Sequence, residues 1–376
     1  MSTDQTAFTQ DELLASHPYA EPLIAGGVRC HGGFDADGHY VSPRTKYRWP
    51  AIRAWQAQHQ AQFGTALLDV PLDAFPEHYP SVPQAKFLLQ QGVKLPLSLT
   101  LTRIGTVEGF GAGIRTVNLP DLQACFVEEI AGTAMAHLGQ GLYEAHARDE
   151  AGFEDEGGHK QMWFAARDVA LEEQPSEEQV REMMARQGGS GVVGAPPTPE
   201  QVAKIRAEMM ANRMLPDDID FALEAAIIRM TRLLLIELVA YLSFAWAEEL
   251  LSDTELVAGE GEAARLVSYV RADEAPHVAY LKCALSEMRD RTFRGTSGRT
   301  YAGADMVGHI WQRLTHQFLA TSRLDRRNSA YATILQGLQG HPRRDTILEE
   351  FHALGQVQLT PDGVWSDEVA AQTAGR

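Results

Sequence analysis

Two five-residue stretches of this chain repeat one pattern, in which two acids are followed by two other residues and a histidine. They are Asp155-Glu156-Gly157-Gly158-His159 and Asp273-Glu274-Ala275-Pro276-His277. A glutamate and a histidine three residues apart on a helix lie on the same face and can bind one metal ion together. Two copies of the pattern therefore predict two metal ions.

Two pairs of predicted helices would carry these residues. Hydrophobic periodicity and turn residues predict helices at about 121–138, 142–171, 217–251 and 261–290. Each of the two strings lies on the second helix of its pair. An antiparallel pair brings residues at equal distances from its turn to the same level. The first helix of each pair can therefore supply a further ligand.

The fold class that these patterns indicate is all-α. Residues 1–120, where Gly and Pro recur, predict an N-terminal extension of mixed structure. Residues 121–290 predict a four-helix bundle, which residues 172–216 interrupt as a mid-chain insertion with helical flanks. Residues 291–376 predict C-terminal helices that extend the bundle.

Glu237 is the candidate ligand on the first helix of the second pair. It interrupts an otherwise apolar stripe made of Met230, Leu234, Tyr241 and Phe244. A carboxylate on the core face of a helix needs a partner, because burying an unpaired charge is costly. Glu237 and Glu274 are also about equally far from the turn between their helices, so both carboxylates should lie at one level.

Glu129 is the corresponding candidate in the first pair, on a stripe with Phe126, Ile130, Thr133 and His137. Glu129 and Glu156 match less well in level along their helices, because the turn at 139–141 lies closer to Glu129 than to Glu156.

Three neighbours of this predicted turn are therefore kept as alternatives. Glu128 or Glu144 could complete this half of the site instead of Glu129. His137 and Glu144, on either side of the turn, could support the ligands without binding the metal, or one of them could itself be the ligand.

Four carboxylates and two imidazoles make up the predicted ligand set. They are Glu129, Glu156, His159, Glu237, Glu274 and His277. Four-helix bundles hold two iron or manganese ions with such a set, and the imidazoles favour transition metals over calcium or magnesium. Asp155 and Asp273 could each accept the free N–H of a ligating histidine from the opposite string.

Helix-breaking residues lie inside both strings. Gly157 and Gly158 each cost about 1 kcal/mol in a helix interior, and Pro276 costs about 3 kcal/mol. A helix weakened at its own ligands predicts a distorted turn, such as a π-type bulge, of the kind found at functional sites. The alternative is that one of the two strings lies in a loop and supplies no ligands.

Three aromatic residues lie close to the predicted ligands in sequence. Trp163 follows His159 by one helical turn, Tyr241 follows Glu237 by one turn, and Tyr280 lies three residues after His277. Each could transfer an electron or line a substrate pocket, although aromatic residues beside a bundle core are most often packing residues.

These motifs resemble those of ferritin-like di-iron carboxylate proteins, in particular the oxygen-activating branch. That branch includes the monooxygenase hydroxylases, the ribonucleotide reductase small subunits and the arylamine N-oxygenases. The resemblance covers about 121–171 and 217–290. It implies two iron ions, or a manganese and iron pair, with O₂ as co-substrate.

The function that this resemblance implies is oxidation of a small organic substrate by hydroxylation, desaturation or N-oxygenation. The alternatives are a ferroxidase or iron-handling protein, and a structural helical bundle without metal. The long insertion and the two extensions favour a substrate pocket over minimal iron storage.

The charge and cysteine content of the chain limit the partners and the compartment that can be expected for it. The formal net charge of −17 argues against nucleic acid and anionic membranes, and it suits a basic electron-donor protein. A homodimer is kept as an option. Three widely spaced cysteines form no disulfide framework, which predicts a reducing cytoplasm.

Overall fold

Helices make up most of the chain in the computed structural model, which describes residues 5–186 and 198–355. In chain order they are α1 (Gln10–Leu14), α2 (Arg48–Phe63), α3 (Val82–Gln90), α4 (Leu95–Gly111), α5 (Leu122–Cys125), α6 (Tyr143–Ala151), α7 (His159–Ala170), α8 (Glu177–Arg186), α9 (Pro199–Ala211), α10 (Phe221–Leu251), α11 (Glu262–Arg289), α12 (Gly303–Gly337) and α13 (Arg344–Gly355). The predicted helical class is confirmed. Residues 187–197 of the predicted insertion and residues 356–376 of the predicted C-terminal extension lie outside the described residues.

The strands form two small antiparallel sheets. They are β1 (Glu21–Ala25), β2 (Val28–Phe34) and β3 (Tyr40–Val41) in one sheet, and β4 (Thr292–Arg294) and β5 (Thr300–Ala302) in the other. β1 and β2 pack against α7. The N-terminal segment therefore contacts a helix that lies more than a hundred residues later in the chain.

Four helical segments surround the centre of the molecule. α10 packs along α11, α11 packs against α7, and α7 packs against α4. α12 lies outside this group and contacts α4, α10 and α11. Helix α4 belongs to the segment predicted as an N-terminal extension, and it packs against α7 and α12 from beyond the predicted boundary at residue 121. Among the described residues, no helix has the length and apolar character needed to cross a membrane.

The helices α10 and α11 confirm the prediction for the second pair. α10 begins at Asp220, whose carboxylate accepts hydrogen bonds from the backbone N–H groups of Ala222 and Leu223. α11 follows Gly261, whose φ of 79° is in the left-handed region that glycine adopts without strain. Pro276 lies inside α11, and the helix continues through it without a break.

Polar residues occupy a band between two apolar clusters. In α10, one cluster contains the residues up to Leu238 and the other begins at Ala240. In α11, the second cluster ends at Val270 and the first resumes at Tyr280. In α11 the buried residues Asp273, Glu274 and His277 lie in this interval, and in α10 the buried Glu237 lies at the boundary between the clusters. This banding places a polar site at the middle of the bundle and not at one end.

The predicted first helix at 121–138 is wrong. α5 ends at Cys125, and the chain then runs extended beside β4, where the backbone N–H of Val127 donates to the carbonyl of Thr292 at 2.9 Å. Gly132, with a φ of 70°, makes the following turn. Short 3-10 and π-type turns occupy Met135–His137 and Leu138–Leu142. Pairing with β4 has replaced the helix that the periodicity indicated.

Candidate metal centre

The predicted second helix at 142–171 is interrupted by a loop at 152–158. Gly152, with a φ of 86°, turns the chain out of α6. A Cβ at Gly158 would collide with the carbonyl oxygen of Asp149 and the amide nitrogen of Gly152, so only glycine allows the chain to return this close. The loop is closed by paired backbone hydrogen bonds of 3.0 Å between Phe153 and Glu156. α7 therefore begins beside the point where α6 ends.

This loop restores the repeated pattern with a different glutamate. Without residues 152–157 the chain would run Asp149-Glu150-Ala151-Gly158-His159. That order matches Asp273-Glu274-Ala275-Pro276-His277 on α11. Glu150 thus lies where the sequence pattern placed Glu156.

Seven buried side chains of metal-ligating type meet between the helices. They are Glu108 on α4, His146 and Glu150 on α6, His159 on α7, Glu237 on α10, and Glu274 and His277 on α11. They fall into two groups, in each of which the ligand atoms lie within 4.8 Å of one another. The groups are Glu108, Glu150, His159 and Glu274, and His146, Glu150, Glu237 and His277. Glu150 belongs to both.

Glu274 and Glu150 connect the two groups. Glu274 places Oε1 2.8 Å from Nδ1 of His159 and Oε2 2.6 Å from Nδ1 of His277. Oε1 of Glu150 lies 3.5 Å from Nε2 of His146 and 3.6 Å from Nδ1 of each of the other two histidines. Neighbouring ligands of a six-coordinate ion with bonds of about 2.1 Å are about 3 Å apart. The spacing therefore suits two ions with shared carboxylates.

Several of these atoms are not satisfied by hydrogen bonds among the described residues. Nε2 of His146 and Oε2 of Glu150 have no hydrogen-bond partner there, and Nδ1 of His159 and Oε1 of Glu274, although 2.8 Å apart, do not meet in hydrogen-bond geometry. Buried polar atoms are nearly always hydrogen-bonded, because leaving one unpaired costs free energy. Bound metal ions would satisfy these nitrogen and oxygen atoms. The residues present therefore fit a pair of metal ions.

The pKa values of the buried carboxylates also indicate a site that suits bound cations. Burial, together with repulsion from neighbouring carboxylates, raises the pKa of Glu150 to about 7 and the pKa values of Glu108 and Glu237 well above their usual range. Burial would also raise the pKa of Glu274, but His159 and His277 hold it well below its usual range. Four carboxylates in a dry space repel one another, and bound cations would offset that repulsion.

Asp149 supports the His277 side of the site. Its Oδ2 lies 3.0 Å from Nε2 of His277, so that Nδ1 of the same ring faces the cluster. Arg44 donates from Nε to Oδ1 at 2.8 Å, and Arg48 lies 2.7 Å from Oδ2. Burial alone would raise the pKa of Asp149, but the two guanidinium groups hold it well below its usual range.

Asp273 supports the His159 side. Its Oδ2 lies 3.6 Å from Nε2 of His159. The same oxygen accepts a hydrogen bond from the Tyr40 hydroxyl at 2.8 Å and lies 3.0 Å from Nε2 of His31. The sequence analysis predicted that Asp273 would contact the histidine of the opposite string, and the structure brings these two residues together.

The structure places His159, Glu237, Glu274 and His277 of the predicted ligands in one cluster, and it places the other two elsewhere. Glu129 is exposed and accepts hydrogen bonds from the backbone N–H groups of the next two residues. Glu156 lies in the loop after α6, with its Oε1 3.3 Å from Arg29. Asp155, predicted to orient a histidine, is exposed and lies 3.7 Å from Arg29. Glu156 and Asp155 point outward because residues 152–158 leave the helix.

The other residues considered for the first half have structural contacts. Glu128 accepts hydrogen bonds of 2.8 Å from the backbone N–H and the hydroxyl of Thr292. Glu144 lies 2.7 Å from Arg148, one turn along α6. His137 lies 2.7 Å, through Nδ1, from the carbonyl of Thr133, and its Nε2 accepts from the backbone N–H of Phe8 at 3.2 Å. These contacts direct all three away from the cluster.

Sequence reasoning missed Glu108, His146 and Glu150. Glu108 is the one acidic residue of α4, whose other residues apart from Arg103 are apolar or weakly polar, so it carried the same signal as Glu237. His146 and Glu150 are four residues apart and share a helix face. Two acid pairs precede His159 in the sequence, and the structure brings Asp149 and Glu150 to the cluster while Asp155 and Glu156, at the predicted spacing, lie beside Arg29.

A cavity of about 130 Å³ adjoins the cluster. It lies between α4, α10, α12 and residues 76–79, and Glu108 forms part of its wall. The aromatic residues predicted for a pocket do not line it. Trp163 is buried against Phe244, and the Tyr280 hydroxyl lies 3.2 Å from Nδ1 of His146. Tyr241 is half-buried on α10.

No protein-family model, curated protein or solved structure matches this chain.

Proposed function

We propose that this chain is an O₂-activating oxidoreductase of the ferritin-like type, with two iron ions or a manganese and iron pair as its cofactor. The observation that carries the proposal is the pair of ligand groups joined through Glu150 and Glu274. Carboxylates that bridge two ions can change their binding mode as the ions change oxidation state, and the imidazoles favour transition metals. Bound in this way, the metal pair would supply the redox chemistry that activates O₂.

The protein groups around the metals would fix their ligands and exclude water. Oδ2 of Asp149 lies 3.0 Å from Nε2 of His277, and Oδ2 of Asp273 lies 3.6 Å from Nε2 of His159, so both rings would present Nδ1 to the metals. The apolar clusters on either side of the polar band keep bulk water away. Electrons must come from another molecule, and a basic reductase would complement the charge of −17.

The cavity favours oxidation of an organic substrate over handling of iron. A ferroxidase needs an acidic path along which iron ions reach the site. The wall next to Glu108 instead contains Ile104, Val107, Ile236 and Val239. A bundle with a purely structural role would pair all its buried polar atoms, whereas Nε2 of His146 and Oε2 of Glu150 have no hydrogen-bond partner among the described residues. Hydroxylation, desaturation and N-oxygenation all remain within the proposal.

Elemental analysis with an absorption spectrum tests this proposal. The purified protein should contain about two equivalents of iron or manganese, and reduction followed by exposure to O₂ should change its spectrum. Glu274→Gln should lose most of the metal, because Glu274 contacts histidines of both groups. Glu129→Gln is the matched control and should retain it, because Glu129 is exposed. Metal content near zero in protein grown with abundant iron and manganese would refute the proposal.

A further inference from the structure

The candidate metal cluster comes closest to the surface on one side. Glu108 and Glu237 are 8% and 4% exposed, whereas Glu274 and the three histidines of the cluster are 0% exposed. Glu108 lies near the C-terminal end of α4, and Glu237 lies at the middle of α10. The surface between α4 and α10 is therefore where the cluster is least covered.

Apolar side chains are exposed directly outside these two candidate ligands. Phe110, two residues after Glu108, is 49% exposed, and Ile236, the residue before Glu237, is 39% exposed. Val107 is half-buried and lies three residues before Phe110, on the same side of α4. Large apolar side chains that are exposed together often mark a surface that contacts another protein.

Two arginines extend this surface along α10. Arg229 and Arg232 precede Ile236 by seven and four residues, so the three side chains lie on one face of the helix, and both arginines are exposed. A Cβ at Gly113 would lie 3.1 Å from Nη2 of Arg229, so this face of α10 adjoins the turn that follows Phe110. Neither arginine has an ion pair or a hydrogen bond with the residues that the structure describes.

The charge of this surface is opposite to that of the whole chain. The formal net charge is −17, yet the charged side chains here are the guanidinium groups of Arg229 and Arg232. An apolar centre with arginines beside it is typical of a protein interface. A partner that docks here must present acidic residues around an apolar spot, because complementary charges determine which partner binds. The net charge alone would favour a basic partner.

We propose that an acidic one-electron donor protein docks on the patch formed by Val107, Phe110, Arg229, Arg232 and Ile236. An electron donor is the partner that O₂-dependent oxidation requires, and this patch lies outside the least covered ligands. Two donor molecules in turn would each lose one electron, and the two electrons would reduce the metal pair. The inference rests on the proposed function and adds the docking site and the charge of the donor.

Binding and reduction by defined probes test this inference. The acidic probe is a plant-type [2Fe–2S] ferredoxin, and the basic probe is cytochrome c, which reports what the net charge alone does. Calorimetry at low ionic strength measures the binding of each oxidised probe to the full-length protein, with and without a chelator. Stopped-flow absorption measures reduction of the metal-loaded protein by reduced ferredoxin and by the methyl viologen radical, which needs no docking surface. Ferredoxin should bind, and added salt should weaken its binding.

Three variants locate the docking surface. Arg229→Gln combined with Arg232→Gln should weaken ferredoxin binding and slow reduction by ferredoxin at least about 10-fold, because the attractive charge is removed. The same variant should not weaken cytochrome c binding or slow reduction by methyl viologen. Phe110→Ala should weaken ferredoxin binding about 5- to 10-fold, because it removes an apolar contact at the centre of the patch. Arg53→Gln, which changes an exposed arginine on α2, is the matched control and should change nothing.

The outcomes separate this inference from the proposed function. Absence of ferredoxin binding at low ionic strength would overturn the docking site, even in protein that contains metal and is reduced by methyl viologen. Ferredoxin binding that the paired arginine variant leaves unchanged would overturn it too, because the donor would then dock elsewhere. Ferredoxin binding through Arg229 and Arg232 to a protein that takes up no metal would support the docking site and refute the proposed function.

Discussion

The two halves of the candidate centre use the same residues in the same order, but they are built differently. Asp273, Glu274 and His277 lie on one unbroken helix. Asp149 and Glu150 end one helix, and His159 begins the next after a loop. The difference shows that a ligand motif is defined by positions in space. A loop can be added inside it where the backbone can leave and return at one point, as the glycines at 152 and 158 allow.

The halves differ further in the charges behind their histidines. Asp149 lies between the guanidinium groups of Arg44 and Arg48. In the described part of the chain, the partners of Asp273 are two imidazoles and the hydroxyl of Tyr40. Burial lowers the pKa of His31, one of these imidazoles, which favours its neutral form. We therefore expect more negative charge to remain behind His159 than behind His277.

The largest expected effect separates Glu150 from Glu156. Glu150→Gln should reduce the metal content from about two equivalents to less than half of that value, because Glu150 belongs to both ligand groups. Glu156→Gln changes the residue that the sequence pattern favours and should keep the full content, since Glu156 faces Arg29. Elemental analysis of the two variants side by side gives the answer. Loss of metal in Glu156→Gln with full metal content in Glu150→Gln would show instead that Glu156 in the loop is the ligand.

Removal of charge from the two supporting aspartates should affect stability unequally. Asp149→Asn leaves two buried guanidinium groups without their carboxylate, and should lower the free energy of unfolding by about 3–5 kcal/mol. Asp273→Asn loses hydrogen bonds to groups without a fixed charge, and should cost about 1–3 kcal/mol. Denaturant unfolding in excess chelator measures both values without a contribution from metal. Equal losses of unfolding free energy in the two variants would show that Arg44 and Arg48 do not make Asp149 more important for stability than Asp273.

Metal affinity should respond to Asp273 more than to the exposed Asp155. Asp273→Asn should weaken binding at the His159 position about 10- to 100-fold, because an amide no longer increases the basicity of the imidazole. Asp155→Asn is the control and should change nothing, as its carboxylate lies at the surface beside Arg29. Competition with a coloured chelator measures the affinities. Weakened binding in the Asp155 variant would contradict the assignment of the two acid pairs.

The His277 half could be predicted from sequence because its signals are local. α10 and α11 are long and periodic, and Glu237, Glu274 and His277 interrupt their apolar stripes. A buried acid within such a stripe needs a partner, so its position indicates both the helix face and the site. The antiparallel pairing then places the residues at one level.

The His159 half could not be predicted because its geometry depends on long-range contacts. Gly157 bonds to β2 through the backbone of Arg29 and His31, and these bonds hold the loop away from the helix. Nothing in one sequence says that the acids at 155 and 156 follow the loop while those at 149 and 150 face the core. Arg44 and Arg48, which contact Asp149 behind His277, could not be predicted either, because they lie more than a hundred residues upstream of Asp149 and no pattern links them to a histidine.

The smallest expected effect concerns the hydroxyl of Tyr40, the outermost group behind His159. Tyr40→Phe removes the hydrogen bond of 2.8 Å to Asp273 but leaves His31 on the same oxygen. The free energy of unfolding should fall by about 0.5–1.5 kcal/mol. Metal affinity should change much less than in Asp273→Asn, because the carboxylate keeps its charge.

Tyr280→Phe offers the matched comparison on the other side of the centre, where the hydroxyl lies 3.2 Å from His146. Because that hydroxyl contacts a candidate ligand directly, its loss should weaken metal binding more than the loss of the Tyr40 hydroxyl. If Tyr40→Phe weakened metal as strongly as Asp273→Asn, the hydroxyl and not the carboxylate charge would be what positions His159.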